Sequence, residues 1–132
     1  MKSEIGSVRI EFHKLHTDLS IRYKFLSKTI DLGTDHIFEG TTCRLGSKGC
    51  LLTGKIPSLN WIPAMLQGKI LMGLNMLIPS ADTPIKALAK VMWVEAMSEG
   101  SDRLTLGIEF VDIPKECEDV ITKYLIKSQM TH

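Results

Sequence analysis

Short runs of alternating apolar and polar residues, separated by Gly- and Pro-rich breaks, constrain this chain more than any other feature. In "SIRYKFL", Ile21, Tyr23 and Phe25 share one face while Arg22 and Lys24 share the other. In "IKALAKVMWVE", Ile85, Ala87, Ala89, Val91 and Trp93 fall on one parity, with Lys86 and Lys90 opposite. In "RLTLGIEFVDI", Leu104, Leu106, Ile108 and Phe110 alternate with Arg103, Thr105, Gly107 and Glu109. A period of two is that of a strand with one buried face, and it makes Trp93 a core residue. "GCLLTGKI" and "GKILMGLNMLI" are apolar runs of strand length bounded by Gly or Pro, and "HIFEGTTCRL" alternates weakly. Breaks at 31–35, 46–49, 79–84 and 98–102 separate these segments. About six strands at that spacing predict an antiparallel barrel or sandwich.

Two segments read differently. "PKECEDVITKYLIKSQM" opens on Pro114, carries Glu116, Glu118 and Asp119 early and Lys123 and Lys127 late, a charge order that suits a helix dipole. Val120, Tyr124, Ile121 and Leu125 give it an apolar stripe. "PSLNWIPAMLQG" has room for a short helical turn, with Ser58 as its cap and Pro57 and Pro63 limiting its length. The expectation is a mainly β domain closed by a C-terminal amphipathic helix. Trp61, between two prolines, either caps one end of the barrel or marks an interface. The apolar 70–78 stretch offers a surface for a partner or a second copy, yet a barrel core needs such residues too.

Composition narrows the function. The 132 residues with 44% hydrophobic content suffice for one core. A formal net charge of +1 gives no global reason to expect a nucleic-acid polymer as partner. Cys43, Cys50 and Cys117 form no CxxC and read as packing thiols in a reducing compartment. The N-terminus shows no apolar signal-peptide core, and no stretch is long enough to insert in a membrane, so the expected location is cytoplasmic. No GxSxG or carboxylate pair stands out, which argues against an enzyme. His13 and His16 lack the further ligands a metal site requires.

One turn stands apart. In "TTCRLGSKGCLL", the Gly46–Ser47–Lys48–Gly49 turn lies between two strand candidates. Successive N–H groups of such a turn can form an anion-binding nest, with Arg44 or Lys48 adding charge. The same residues also make an ordinary hairpin, and the strand–GxxxxGK–helix context of a P-loop is missing.

Taken in order, "IRYKFL", "EGTTCRLGSKGCLLTGKIP", "LIP…IKALAKVMWVE" and "LGIEFVDIPKECEDVITKYLIK" resemble the bacterial PilZ domain over about residues 18–128. The "LGIEF" strand followed by a closing helix ending in "YLIK" is the most specific part. The resemblance implies a six-stranded antiparallel β-barrel with a C-terminal helix over 18–132, preceded by an N-terminal segment at 1–17. It also implies a signalling role as a receptor for cyclic di-GMP, a nucleotide gripped by an RxxxR segment and a D/N-x-S-x-x-G turn. Here the turn motif falls on 44–49, where Arg44 replaces the acid or amide, Gly46 replaces Ser, and only Gly49 matches. Upstream, Arg9 and His13 have the spacing of the arginine pair, but a neutral imidazole does not replace a guanidinium.

Two readings follow. In the first, a PilZ-like regulatory or adaptor domain has weak or lost cyclic di-GMP binding and acts through protein partners of a signalling pathway. In the second, it is a working cyclic di-GMP receptor whose altered pocket is lined by Arg9, Arg22, Arg44, Gly46, Ser47, Lys48 and Gly49. Neither requires a cofactor.

Overall fold

A computed structural model describes residues 16–79, 81–96 and 103–130. The first strand, β1 (His16–Leu26), carries the alternation into three dimensions: Ile21, Tyr23 and Phe25 are buried and Arg22 and Lys24 exposed. It is followed by β2 (Phe38–Leu45), β3 (Gly49–Lys55), β4 (Leu71–Met76), β5 (Ile85–Ala96) and β6 (Arg103–Asp112). The strands close into an antiparallel barrel in the order β1-β2-β3-β6-β5-β4, with β1 pairing β4 across the seam. Closure pairs most of every strand on both sides, while residues 16–20 of β1 and 90–96 of β5 run past the ends of β4.

The "PSLNWIPAMLQG" segment folds as expected. Ser58 Oγ accepts the Asn60 amide at 3.1 Å and caps a 3-10 turn at Leu59–Trp61, which runs into a five-residue helix, α1 (Ile62–Leu66). Trp61 meets Phe25 edge-on at 5.5 Å and packs against the core, so it caps one end of the barrel. The 70–78 stretch is largely used internally, with Ile70, Met72, Leu74, Met76 and Ile78 all buried. Helix α2 (Lys115–Met130) closes the fold; Ile121 is fully buried, and Cys117, Val120, Tyr124 and Leu125 are partly buried against the core.

Four register shifts break the simple alternation, one in β1 between His16 and Leu19 and three further on in the chain. An extra residue at Cys43 lets both Thr42 and Leu45 face inward although they are three apart. A second, at Val111, lies where Leu88 pairs Asp112 and Ala89 pairs Phe110. The third, at Met92, reverses the parity of β5: Val91 points into the barrel, and after the extra residue it is Val94 that packs on the core. Trp93 is therefore not a core residue, contrary to the expectation from its parity. It pairs with Gly107 on the outer face, and a Cβ at Gly107 would overlap its indole ring. A bulge increases local twist and re-aims a side chain at the cost of one ladder position.

Inside the barrel, Tyr23 reaches across to donate its hydroxyl to the Lys55 carbonyl at 2.7 Å. Gly54 makes room for it, since a Cβ there would collide with the phenol. Burial raises the Tyr23 phenol above its ordinary pKa. Burial, and secondarily the neighbouring Cys43 thiol, push Cys50 far above the usual thiol range. A native state that keeps its proton while the unfolded chain loses it becomes less stable as pH rises. Above the unfolded thiol value of about 8.5, stability should fall by about 1.4 kcal/mol per pH unit from Cys50 alone. Urea unfolding followed across that range checks this, and Cys50→Ala should flatten the profile until the phenols titrate.

Candidate functional site

The turn from Leu45 to Gly49 is held from both sides. The Gly46 amide donates to the Gly49 carbonyl at 2.9 Å, closing the loop, and Leu45 pairs Cys50 across it. The Phe110 amide donates to the Lys48 carbonyl at 2.8 Å, and Lys48 Nζ lies 3.9 Å from Glu118 Oε2 of α2. The turn thus sits where β6 gives way to the closing helix. Gly46 and Gly49 are buried, Ser47 is partly exposed, and Lys48 points outward.

Gly49 has a structural reason to be glycine. Paired with Glu109, it approaches β6 so closely that a Cβ would overlap the Ile108 carbonyl oxygen. The clash is with backbone, so a side chain can be accommodated only by moving a strand. The one position that matches the family's turn motif is therefore demanded by barrel packing, with or without a ligand.

Arg44 is partly buried on the outer face, beside the bulge at Cys43. It makes no hydrogen bond or ion pair with another described residue. Its cross-strand row continues through Leu51 and Gly107 to Trp93, so a guanidinium and an indole stand at opposite ends of one row over β2, β3, β6 and β5. Trp93 was missed as a surface residue because the bulge at Met92 is invisible in the alternation. The signal that reveals it is Gly107, an isolated glycine in a strand, which marks a close approach.

Arg22 is not brought to this site. It pairs with Glu39, bonded Nε to Oε2 at 3.2 Å, while Arg44 lies five positions further along β2. At the rise of a strand that is roughly 16 Å. Arg9 and His13 lie outside the described residues. The candidate pocket residues thus separate into two groups, with Arg44 and 46–49 together and Arg22 apart. Among the described residues no group of three or more His, Cys, Asp or Glu could hold a metal ion. No helix there is long and apolar enough to cross a membrane.

The closed six-stranded antiparallel barrel with its C-terminal helix is the PilZ-like fold. Solved structures with this arrangement include the Bacillus subtilis inhibitor of motility, MotI/DgrA, at TM-score 0.63 and 13% identity over 88% of this chain and 48% of that one. A second is the Borreliella burgdorferi PlzA protein in complex with c-di-GMP, at TM-score 0.52 and 17% identity over 100% of this chain and 51% of that one. The chain spans about half the length of either protein. No family model and no curated protein matches its sequence.

Because Gly49 is packed against backbone and Lys48 is an exposed ion pair, the two should respond differently to substitution. Gly49→Ala should lower stability by about 2 kcal/mol or more. Lys48→Ala should cost about 1 kcal/mol or less. Thermal or urea unfolding of the two variants without ligand checks both.

Proposed function

We propose that this chain is a non-enzymatic PilZ-type regulatory domain, bacterial and cytoplasmic, that acts through protein contacts and binds c-di-GMP weakly or not at all. The observation that carries the reading is the composition of the turn in its structural setting. Where the family places an acid or amide to accept from a guanine edge, Arg44 offers only donors. Gly46 supplies no hydroxyl, Lys48 leans toward Glu118, and Gly49 serves the barrel. A buried donor facing another donor costs on the order of 1–3 kcal/mol, roughly ten- to a hundredfold in affinity.

One observation favours the second reading, that of a receptor with an altered pocket. Arg44 has no partner among the described residues, and Trp93 stands at the far end of its row. An arginine and an indole are the groups that would hold a phosphate and stack on a base. PlzA, which shares the fold, was solved with c-di-GMP bound.

Calorimetric titration with c-di-GMP separates the two. Silence up to millimolar nucleotide is the expected result, and sub-micromolar binding would overturn the degenerate-site reading. In that event Arg44→Ala and Trp93→Ala should each weaken binding by at least about tenfold, the worth of one lost charge-assisted bond or stacking contact.

A further inference from the structure

A groove of about 570 Å³ runs over the outer face of β1, β4 and β5. In the strand order, β4 lies across the barrel from β3, so the groove and the 46–49 turn occupy opposite sides. Strand register builds it. Arg22, Asn75 and Lys86 are cross-strand partners in one row, and Lys24, Gly73 and Leu88 in the next. Gly73 gives the middle strand no side chain, so the floor is low between walls raised by β1 and β5.

The walls are cationic. Lys24 and Lys86 have no ion-pair partner among the described residues, and the Arg22 side chain remains 68% exposed while bonded to Glu39. Asp112, at the β6 edge, is the one carboxylate among the described lining residues. Arg22 and Lys86 flank Asn75 at about twice the strand spacing, roughly 10 Å, just beyond the Debye length at physiological salt, so each presents its charge to an incoming anion largely independently of the other. Asn75 adds a neutral amide donor between the two.

We infer that this groove is a docking site for an extended acidic segment of a partner protein. The choice rests on charge complementarity and spacing. Arg22 and Lys24 are two residues apart on one strand face, about 6.6 Å, the spacing of carboxylates at i and i+2 of an extended peptide. The same wall continues to Leu26, itself 37% exposed, and Leu88 stands opposite Lys24. The fitting pattern is therefore acidic, any, acidic, any, apolar. The proposal supplies a surface for the protein-contact reading above and rests on it. Tight c-di-GMP binding would remove that reading and leave the groove untouched, whereas absent peptide binding would remove the groove alone.

The test uses a fluorescein-labelled peptide, Glu-Thr-Glu-Thr-Leu-Thr, against its Lys-for-Glu counterpart, read by anisotropy and by amide chemical shifts of the full chain. Binding of the acidic peptide alone is expected, with shifts centred on 22–26, 71–76 and 85–88. Lys24→Glu with Lys86→Glu should weaken it about tenfold or more, as reversal of two exposed charges implies. Gly73→Val should weaken it similarly with every charge retained. A Cβ there meets only flexible side chains, Leu26 Cδ1 at 3.3 Å and Lys24 Cγ at 3.9 Å. Should the charge reversals unfold the protein, Lys24→Gln with Lys86→Gln replaces them. Equal binding of both peptides, indifference to Gly73→Val, or shifts confined to 44–49 would each overturn the proposal. Inorganic phosphate reproducing the same shifts would assign the groove to a small oxyanion, and partition onto anionic lipid vesicles would assign it to a membrane. Either outcome also overturns it.

Discussion

Pairing of β1 with β4 turns a row of six strands into a closed cylinder, and the other features of the molecule are consequences of that seam. From Ile21 opposite Met76 to Leu26 opposite Leu71, the register is continuous, so each inward residue of β1 meets an inward residue of β4. Ile21, Tyr23 and Phe25 then share one interior with Met72, Leu74 and Met76. A cylinder this narrow has little room for a large ring. Tyr23 fits because Gly54 withdraws its side chain, and its hydroxyl is satisfied by the Lys55 carbonyl. The same seam fixes the outside, since Arg22, Lys24, Gly73 and Asn75 are the complementary parity of the same two strands.

Alternation was legible along the stretches that no bulge interrupts, residues 19–26 of β1 and 103–110 of β6 among them. In β1 and β6 the apolar parity became the buried face, and the charge order of the last segment became α2, with Ile121 as its anchor. The weak pattern of β2 has a physical explanation. Its bulge at Cys43 places Thr42 and Leu45 on the same side, which no period of two can express. Trp93 failed for the same reason, because one extra residue at Met92 inverts everything after it. Bulges answer to the twist and closure of the whole barrel, a demand set by tertiary structure and carried by no local propensity.

The candidate site was legible as a location more than as a set of interactions. Arg44 and 46–49 lie together, as their adjacency in sequence required, but Arg22 belongs to another face. That separation follows from pairing, because it is the position of Glu39 on β2 that decides where Arg22 stands. Gly49 illustrates the other difficulty. A glycine in a ligand motif and a glycine demanded by an adjacent strand look identical in sequence, and only the Ile108 carbonyl tells them apart.

The two outer faces differ in what they can recognise. The row from Arg44 to Trp93 offers one guanidinium and one indole far apart, with Leu51 and Gly107 between them, a flat arrangement suited to a planar group. The groove over β4 offers cations at strand spacing on raised walls with an aliphatic continuation, an arrangement suited to an extended chain. Strand β5 belongs to both faces, carrying Lys86 at the groove and Trp93 at the end of the row. Coupling between them would need an element with two arrangements that both occupants bias. The strand bearing both Lys86 and Trp93 is the shortest covalent connection between the faces, and the bulge at Met92 lies just before the tryptophan. A bulge is where a strand can change its aim without unpairing the rest of its ladder, so along β5 the groove and the Arg44 row are joined through the point that sets the direction of Trp93.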